Sequence, residues 1–384
     1  MRALSKYVPH PLWPLIPFYL VVTWLLYADL LHHGLFARLL KRLGSRAWFF
    51  VAITILLFVM QATVYPRADA LKYQDRGTPQ DDALVVGGEY LVSGLNPYEA
   101  VTYRGENVSA GPGWIVLALP FVLTGTIGFF NPFWLVLAAF LLWRLCGGAH
   151  VAALFLILLM SSLAFWELTV SGSDMISIGC ALLVATMFIY HAWNRIVRAI
   201  TERNKGGKEI CGGRVLRILS VILLACVSTS RIVFAYAIPL LAGFLRRRGW
   251  KASISFLVIA GGLTAALHLF FYLWNPAAYF PLTRFSDASF LPANLWPMVA
   301  ALAGLVMLIG AMRYAQDEFL SWIFNLWLAL AVVMFCSAFG DLAARQFSLP
   351  NWEGANYLGV VMPIFIAWIA VSRIQSSSLK PRSG

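Results

Sequence analysis

Long uninterrupted apolar stretches, not alternating or one-sided ones, set the pattern of this chain. Hydropathy places them near 12–31, 47–65, 114–130, 132–145, 150–168, 176–194, 216–229, 232–245, 252–274, 296–312, 319–338 and 355–372. A helix needs about 20 apolar residues to cross a bilayer core. The pattern therefore predicts an all-α polytopic membrane protein with about 11–12 transmembrane helices, organised as a single transmembrane domain over 1–384. The first run is too long for a signal-peptide core and has no small-residue cleavage site after it, so it reads as a retained helix.

Composition removes the competing classes. Hydrophobic residues make up 60 % of the chain and charged residues 12 %, with a mean hydropathy of +0.76. Soluble domains carry roughly a quarter charged residues, so a soluble, disordered or coiled-coil protein is excluded. The net charge of +12 would suggest a nucleic-acid partner in a soluble chain. Here the basic residues flank apolar runs, as cytoplasmic ends of membrane helices do, and no nucleic acid is expected. The five cysteines lie mostly in apolar runs without paired spacing and form neither a disulfide framework nor a metal site.

The positive-inside rule orients the spans. Basic clusters at Arg38/Lys41/Arg42/Arg46, through 195–215, at Arg246/Arg247/Arg248/Lys251, and in the tail 374–384 are placed in the cytoplasm. The segments 66–113, 171–174, 228–231, 275–295 and 339–354 then emerge on the outer face. With 66–113 outside and Arg144 inside, 114–130 and 132–145 do not both cross. The stretch 113–125, interrupted by Pro120, is expected as a re-entrant or partial helix, which the membrane tolerates where protein or a wet cavity surrounds it.

The segment 66–113 carries the clearest signal, since loops this long tend to be functional or disordered. Asp69, Asp75, Asp81, Asp82, Glu89, Glu99 and Glu106 outnumber Arg67, Lys72, Arg76 and Arg104. Within it, DDALVVGGEYLVSG has apolar residues at helical spacing and predicts a short helix on the membrane surface. Asp81 and Asp82 stand at its N-terminus, where a carboxylate caps and complements the dipole. Gly94 ends it, and Asn96-Pro97 starts a turn.

An aspartate at the start of an amphipathic helix, then Leu91, Gly94, Pro97 and Tyr98, resembles the GT-C superfamily of polyprenyl-phosphate-sugar-dependent glycosyltransferases, mannosyltransferases among them. Gly172, Ser173 and Asp174 are similar to the family's polar helix start, and Arg231 with Pro239 to its basic residue before an apolar run. The resemblance covers roughly 47–250. It departs from the common pattern in its two adjacent aspartates, a shorter spacing to Pro97-Tyr98, and an extra N-terminal helix.

The resemblance implies an inverting hexosyl- or pentosyltransferase in a cell membrane, with the bacterial inner membrane expected and the site facing the periplasm. Its partners would be a polyprenyl-phosphate-linked sugar donor, a glycan, lipid or protein acceptor, and the surrounding lipids. No cofactor is implied, and a divalent metal stays open. Asp82 or Asp81 would be the general base. Asp82 is favoured because it lies nearer the family's following tyrosine/valine position. Arg231 would neutralise the leaving phosphate, which a guanidinium binds bidentately; the alternatives are snorkelling to the interface or a structural pair with Asp174. Tyr98, Asp174, Arg104, Arg345 and Glu353 complete the expected substrate-binding set. Of the remaining outer polar residues, Arg284, Asp287 and Asp341 read equally well as solvated. None of the six histidines falls in the outer loops. A multi-pass transporter or flippase is the competing class, although the duplicated halves common in transporters are not visible.

Overall fold

The computed structural model describes residues 15–32, 35, 38, 42, 47–74, 80–146, 148–203, 212–279, 281, 296–314, 318–344, 346–348 and 354–378. Within them the chain is helical, with no β-strand. The α-helices are α1 Leu15–His32, α2 Ala47–Ala70, α3 Gln80–Val92, α4 Pro112–Leu123, α5 Phe130–Cys146, α6 Ala149–Met160 and α7 Leu163–Val170. There follow α8 Met175–Arg203, α9 Gly212–Ser228, α10 Ala237–Leu245, α11 Trp250–Trp274, α12 Trp296–Tyr314, α13 Phe319–Ala344 and α14 Val361–Ser378.

Among the described residues each apolar stretch is predominantly helical. Among the described residues six helical segments have the length and composition to cross a membrane: Ala47–Ala70, Ile127–Cys146, Met175–Trp193, Trp250–Trp274, Phe319–Ala343 and Gly354–Arg373. A seventh is present if α6 and α7 are taken as one broken span, bent by 82°. That break corrects the single span expected over 150–168. Its cause is local, since the Ser162 side chain accepts the Phe165 amide and starts a new helix. The partial helix expected after 113 is α4, whose 12 residues reach about 18 Å, well short of a bilayer core.

The buried core centres on α8, with Met175, Ile176, Ile178, Cys180, Leu182 and Val184 almost entirely enclosed. It packs against α5, α9 and α14. Side chains on α1, α2, α11 and α12, by contrast, leave large apolar groups such as Trp24, Ile55, Leu273 and Leu302 exposed, as suits surfaces that meet lipid rather than water.

Two close approaches fix the partial helix α4. The Gly111 amide donates to the Ser230 carbonyl, and the Gly113 amide donates to Thr229 Oγ1 at 2.8 Å. Both glycines are required by space. A Cβ on Gly111 would lie 1.5 Å from the Thr229 carbonyl oxygen, and one on Gly113 would lie 2.5 Å from Cys226 Cα. The start of α4 is thus pinned to the end of α9. α3 is laid over α4 in turn, with Gly87 against Val108 and Ile115 and Gly88 against Val122.

Gly111→Ala must displace the α4–α9 junction and should cost about 1–3 kcal/mol or more. Gly262→Ala on α11, where a Cβ meets nothing within 4 Å, should be neutral or slightly stabilising. Thermal unfolding of both variants in detergent tests this. Equal melting temperatures would show that the junction does not constrain the fold.

Candidate functional site

The site grows from three chain reversals: the start of α3, the α7–α8 turn and the α9–α10 turn. The α7–α8 turn is a glycine-terminated helix end. Gly172 has φ +81°, and the Ser173 amide returns to the Leu168 carbonyl, the arrangement an L-residue rarely tolerates. Gly172 is also needed for space, because a Cβ there would lie 2.0 Å from Asp81 Oδ2. The Asp81 carboxylate therefore rests directly on this turn.

A buried polar lattice holds the turn from beneath. Gln61 Nε2 donates to the Gly128 and Thr169 carbonyls at 3.0 and 3.2 Å. Asn131 Nδ2 donates to the Ser173 carbonyl at 3.0 Å, and the Ser177 hydroxyl donates to Asn131 Oδ1. Carbonyls at the end of α7 that would otherwise be orphaned in an apolar medium are satisfied this way.

Asp174, which is 1 % exposed, stands immediately before α8, and its carbonyl accepts the Ile178 amide. Its Oδ2 accepts the Trp114 indole N–H at 2.9 Å. Arg231 Nη2 lies 3.6 Å from its Oδ1, an ion pair without a hydrogen bond, since Oδ1 has no hydrogen-bond partner. Arg231 Nη1 instead donates to the Ser230 carbonyl at 2.6 Å. The Asp174 amide donates to Gln80 Oε1 at 3.3 Å, which registers the first residue of α3 on the first turn of α8. The Ser173, Ser228 and Ser230 hydroxyls, buried on the same two turns, have no hydrogen-bond partner.

The two adjacent aspartates have different surroundings. Asp81 is 6 % exposed; its Oδ2 accepts the Tyr65 hydroxyl at 2.7 Å and its Oδ1 accepts the Asp82 amide at 2.9 Å. Burial pushes its carboxyl up to about 6, against the opposing hydrogen bond from Tyr65. Asp82 points elsewhere. Its Oδ2 accepts the Tyr103 amide at 2.7 Å, and its Oδ1 is 3.9 Å from Lys72 Nζ, which is itself 3.1 Å from Asp69.

Asp81 and Asp174 line one small cavity with Tyr65, Leu84, Gly128, Asn131 and Gly172. Its interior holds about one water molecule. Among the described residues no three His, Cys, Asp or Glu side chains converge as a metal site.

Of the residues singled out in the sequence, Asp81, Asp174 and Arg231 come together, and Asp82 lies beside them on a different set of partners. Tyr98 is buried in an aromatic cluster, its ring 4.7 Å from Tyr279 and 6.1 Å from Phe271. Arg104 is exposed, its guanidinium 5.4 Å over the Tyr103 ring, and does not line the cavity. Asp341 is not simply solvated, since its Oδ2 accepts the Gly354 amide at 2.8 Å. Arg345, Glu353, Arg284 and Asp287 lie outside the described residues.

Tyr65, Gln80, Trp114 and Asn131 were missed. All are neutral: Tyr65, Trp114 and Asn131 lie in or beside apolar stretches, where an aromatic or amide side chain reads as interface or packing, and Gln80 lies in the polar run TPQDD, where it reads as solvated. Only the unusual depth of Gln61 and Asn131 in apolar runs could have flagged the lattice.

No protein-family model, curated protein or solved structure matches this chain.

Proposed function

We propose that the chain is a membrane-embedded inverting glycosyltransferase that moves a sugar from a polyprenyl-phosphate donor to an acceptor hydroxyl on the outer face, in a bacterial inner membrane. The observation that carries the reading is the buried Asp81 carboxylate sharing a cavity with Asp174, with Arg231 paired to Asp174 at 3.6 Å. A proton acceptor and a fixed cation are the two groups such a transfer requires.

In this reading the acceptor O–H gives its proton to Asp81 as its oxygen attacks the anomeric carbon. The bond from that carbon to the phosphate oxygen breaks, and the lipid phosphate departs with the electron pair. Arg231 balances the charge that develops on the phosphate, a task for which a permanently charged planar donor is suited. The cavity is too small for a sugar, so the reacting groups lie over its mouth and reach Asp81 directly or through one water. We assign the base to Asp81 rather than Asp82, because Asp81 lines the cavity shared with Asp174, whereas Asp82 does not line it and faces the Tyr103 amide and Lys72.

Sugar transfer from polyprenyl-phosphate donors, followed in proteoliposomes, tests this. Asp81→Asn should lower turnover by roughly 10²–10⁴, whereas Asp82→Asn keeps an acceptor for Tyr103 and should cost less than about tenfold. Full turnover in Asp81→Asn would refute the base assignment.

The pH dependence follows from the same carboxyl. Asp81 acts ionised, so kcat/KM should fall as pH drops through about 6. The stability effect runs in the opposite direction. Its folded value lies above the ordinary 3.8, so the folded chain holds the proton more tightly than the unfolded one. The contribution of Asp81 to stability is therefore best at low pH and declines as pH rises between about 4 and 6. Asp81→Asn should consequently melt no lower than the parent at pH 7 while having lost activity. A large drop in its melting temperature would mean the ionised group is structural.

A further inference from the structure

Asp81 is held by a side chain that the transfer step leaves without a role. Tyr65 lies near the end of α2, and its hydroxyl donates to Asp81 Oδ2 at 2.7 Å. An ionised carboxylate only accepts, so the hydrogen of this bond belongs to the tyrosine. Both residues line the cavity that Asp174 shares. The place of the ring is set independently of the carboxylate. Gln61 and Tyr65 are four residues apart and so share one face of α2. Gln61 Nε2 donates to the Gly128 carbonyl at 3.0 Å, and a Cβ on Gly128 would lie 2.5 Å from Tyr65 Cδ1. One helix face thus grips the Gly128 backbone and lays the ring over it.

The Asp81 carboxylate is fixed from three directions. Oδ2 accepts the Tyr65 hydroxyl, Oδ1 accepts the Asp82 amide at 2.9 Å, and the group fills the space that a side chain on Gly172 would need. Of the two donors, the amide belongs to the same helix start and travels with it. Tyr65 comes from another element, so it ties the carboxylate to the body of the protein.

We propose that Tyr65 is the positioning residue of the site: its hydroxyl anchors Oδ2 of Asp81 and so fixes the direction from which the carboxylate receives the acceptor's proton. This role rests on the glycosyltransferase reading above, in which Asp81 is the base. Tyr65 keeps its own proton throughout. The bond has an electrostatic consequence as well. A donor to the ionised form favours that form, and here it opposes the upward push of burial. Without it Asp81 stays protonated to higher pH. The other charged groups around Asp81 are Asp69 and Lys72, 3.1 Å apart, Asp82 beside it on α3, and Asp174 paired with Arg231. Removing the Tyr65 hydroxyl changes none of them.

Two changes at this position act in opposite directions. Tyr65→Phe keeps the ring over Gly128 and removes the hydroxyl. Tyr65→fluorotyrosine nearly keeps the shape and makes the hydroxyl a stronger donor. In full-length chain in nanodiscs, the Asp81 carboxyl is titrated by its protonated-carboxyl infrared band, identified by its absence in Asp81→Asn. The midpoint should lie at about 6 in the wild type, about one pH unit higher in Tyr65→Phe, and below the wild type with the fluorinated ring. Sugar transfer from polyprenyl-phosphate donors is the second readout. In Tyr65→Phe the acid limb of kcat/KM should move up with the midpoint. On the high-pH plateau kcat should stay roughly tenfold below wild type, because the base is no longer held in line, with KM little changed. A midpoint that Tyr65→Phe leaves in place or lowers overturns the assignment, as does one that the fluorinated ring leaves in place or raises. A plateau kcat equal to wild type, or a loss confined to KM, overturns the positioning role. If Tyr65→Phe does not fold, the fluorinated chain decides. A wild type that transfers no sugar overturns the glycosyltransferase reading itself, and the infrared midpoints then still decide whether Tyr65 governs Asp81.

Discussion

The carboxylate of Asp174 is the constraint on which the surrounding structure depends. An ion enclosed among apolar helices costs several kcal/mol unless it is compensated. Here the compensation comes from three sources. The Trp114 indole donates to one oxygen, Arg231 stands 3.6 Å from the other, and the carboxylate opens a 29-residue helix whose dipole favours negative charge there. Those partners belong to α4, the turn after α9, and α8, so satisfying one charge brings three helix ends to one point. Gln80 then ties α3 to the same place through the Asp174 amide. Asp81 reaches the cavity because its neighbour in sequence is fastened to Asp174.

Close backbone approach does the rest. Gly172 and Gly128 leave just enough room for the Asp81 carboxylate and the Tyr65 ring, and this packing removes water from Asp81. Its acidity follows from that exclusion more than from any neighbouring charge, since burial is the leading cause of the shift. Asp82 lies one position on and has a carboxylate of the same kind. The roughly 100° step of a helix turns it away from the turn and toward Lys72 and the Tyr103 amide. Adjacent identical residues thus have different chemistry for a purely geometric reason.

That difference marks the limit of what the sequence could reveal. Helices were legible because each apolar stretch has to satisfy its own backbone in lipid, and Gly94, Gly172 and the Asp81-Asp82 pair signalled their turns and starts correctly. The direction in which each aspartate points depends on the register of α3 over α4, which Gly87 and Gly88 set by contacts with Val108, Ile115 and Val122. No local pattern encodes such contacts. The break between α6 and α7 was hidden for a similar reason: Ser161 and Ser162 are compatible with a continuous span, and only the cap formed by Ser162 ends it. Tyr65 and Trp114 escaped notice because aromatic residues in apolar runs are usually packing.

The short helices explain how so polar a cluster persists in so apolar a chain. α4 is too short to cross and the pair α6–α7 is bent by 82°, and the start of α4 and the end of α7 are buried within the protein rather than at its surface. Free carbonyls and amides at such ends are intolerable in lipid but useful around a cavity. Gln61, Asn131 and Thr229 satisfy some of them directly. The hydroxyls of Ser173, Ser228 and Ser230 remain without partners beside Asp174 and Arg231. An all-crossing bundle would have no internal helix ends and hence no reason to keep these groups. The broken helices and the buried charge are one arrangement: the first supplies the polar backbone that the second requires.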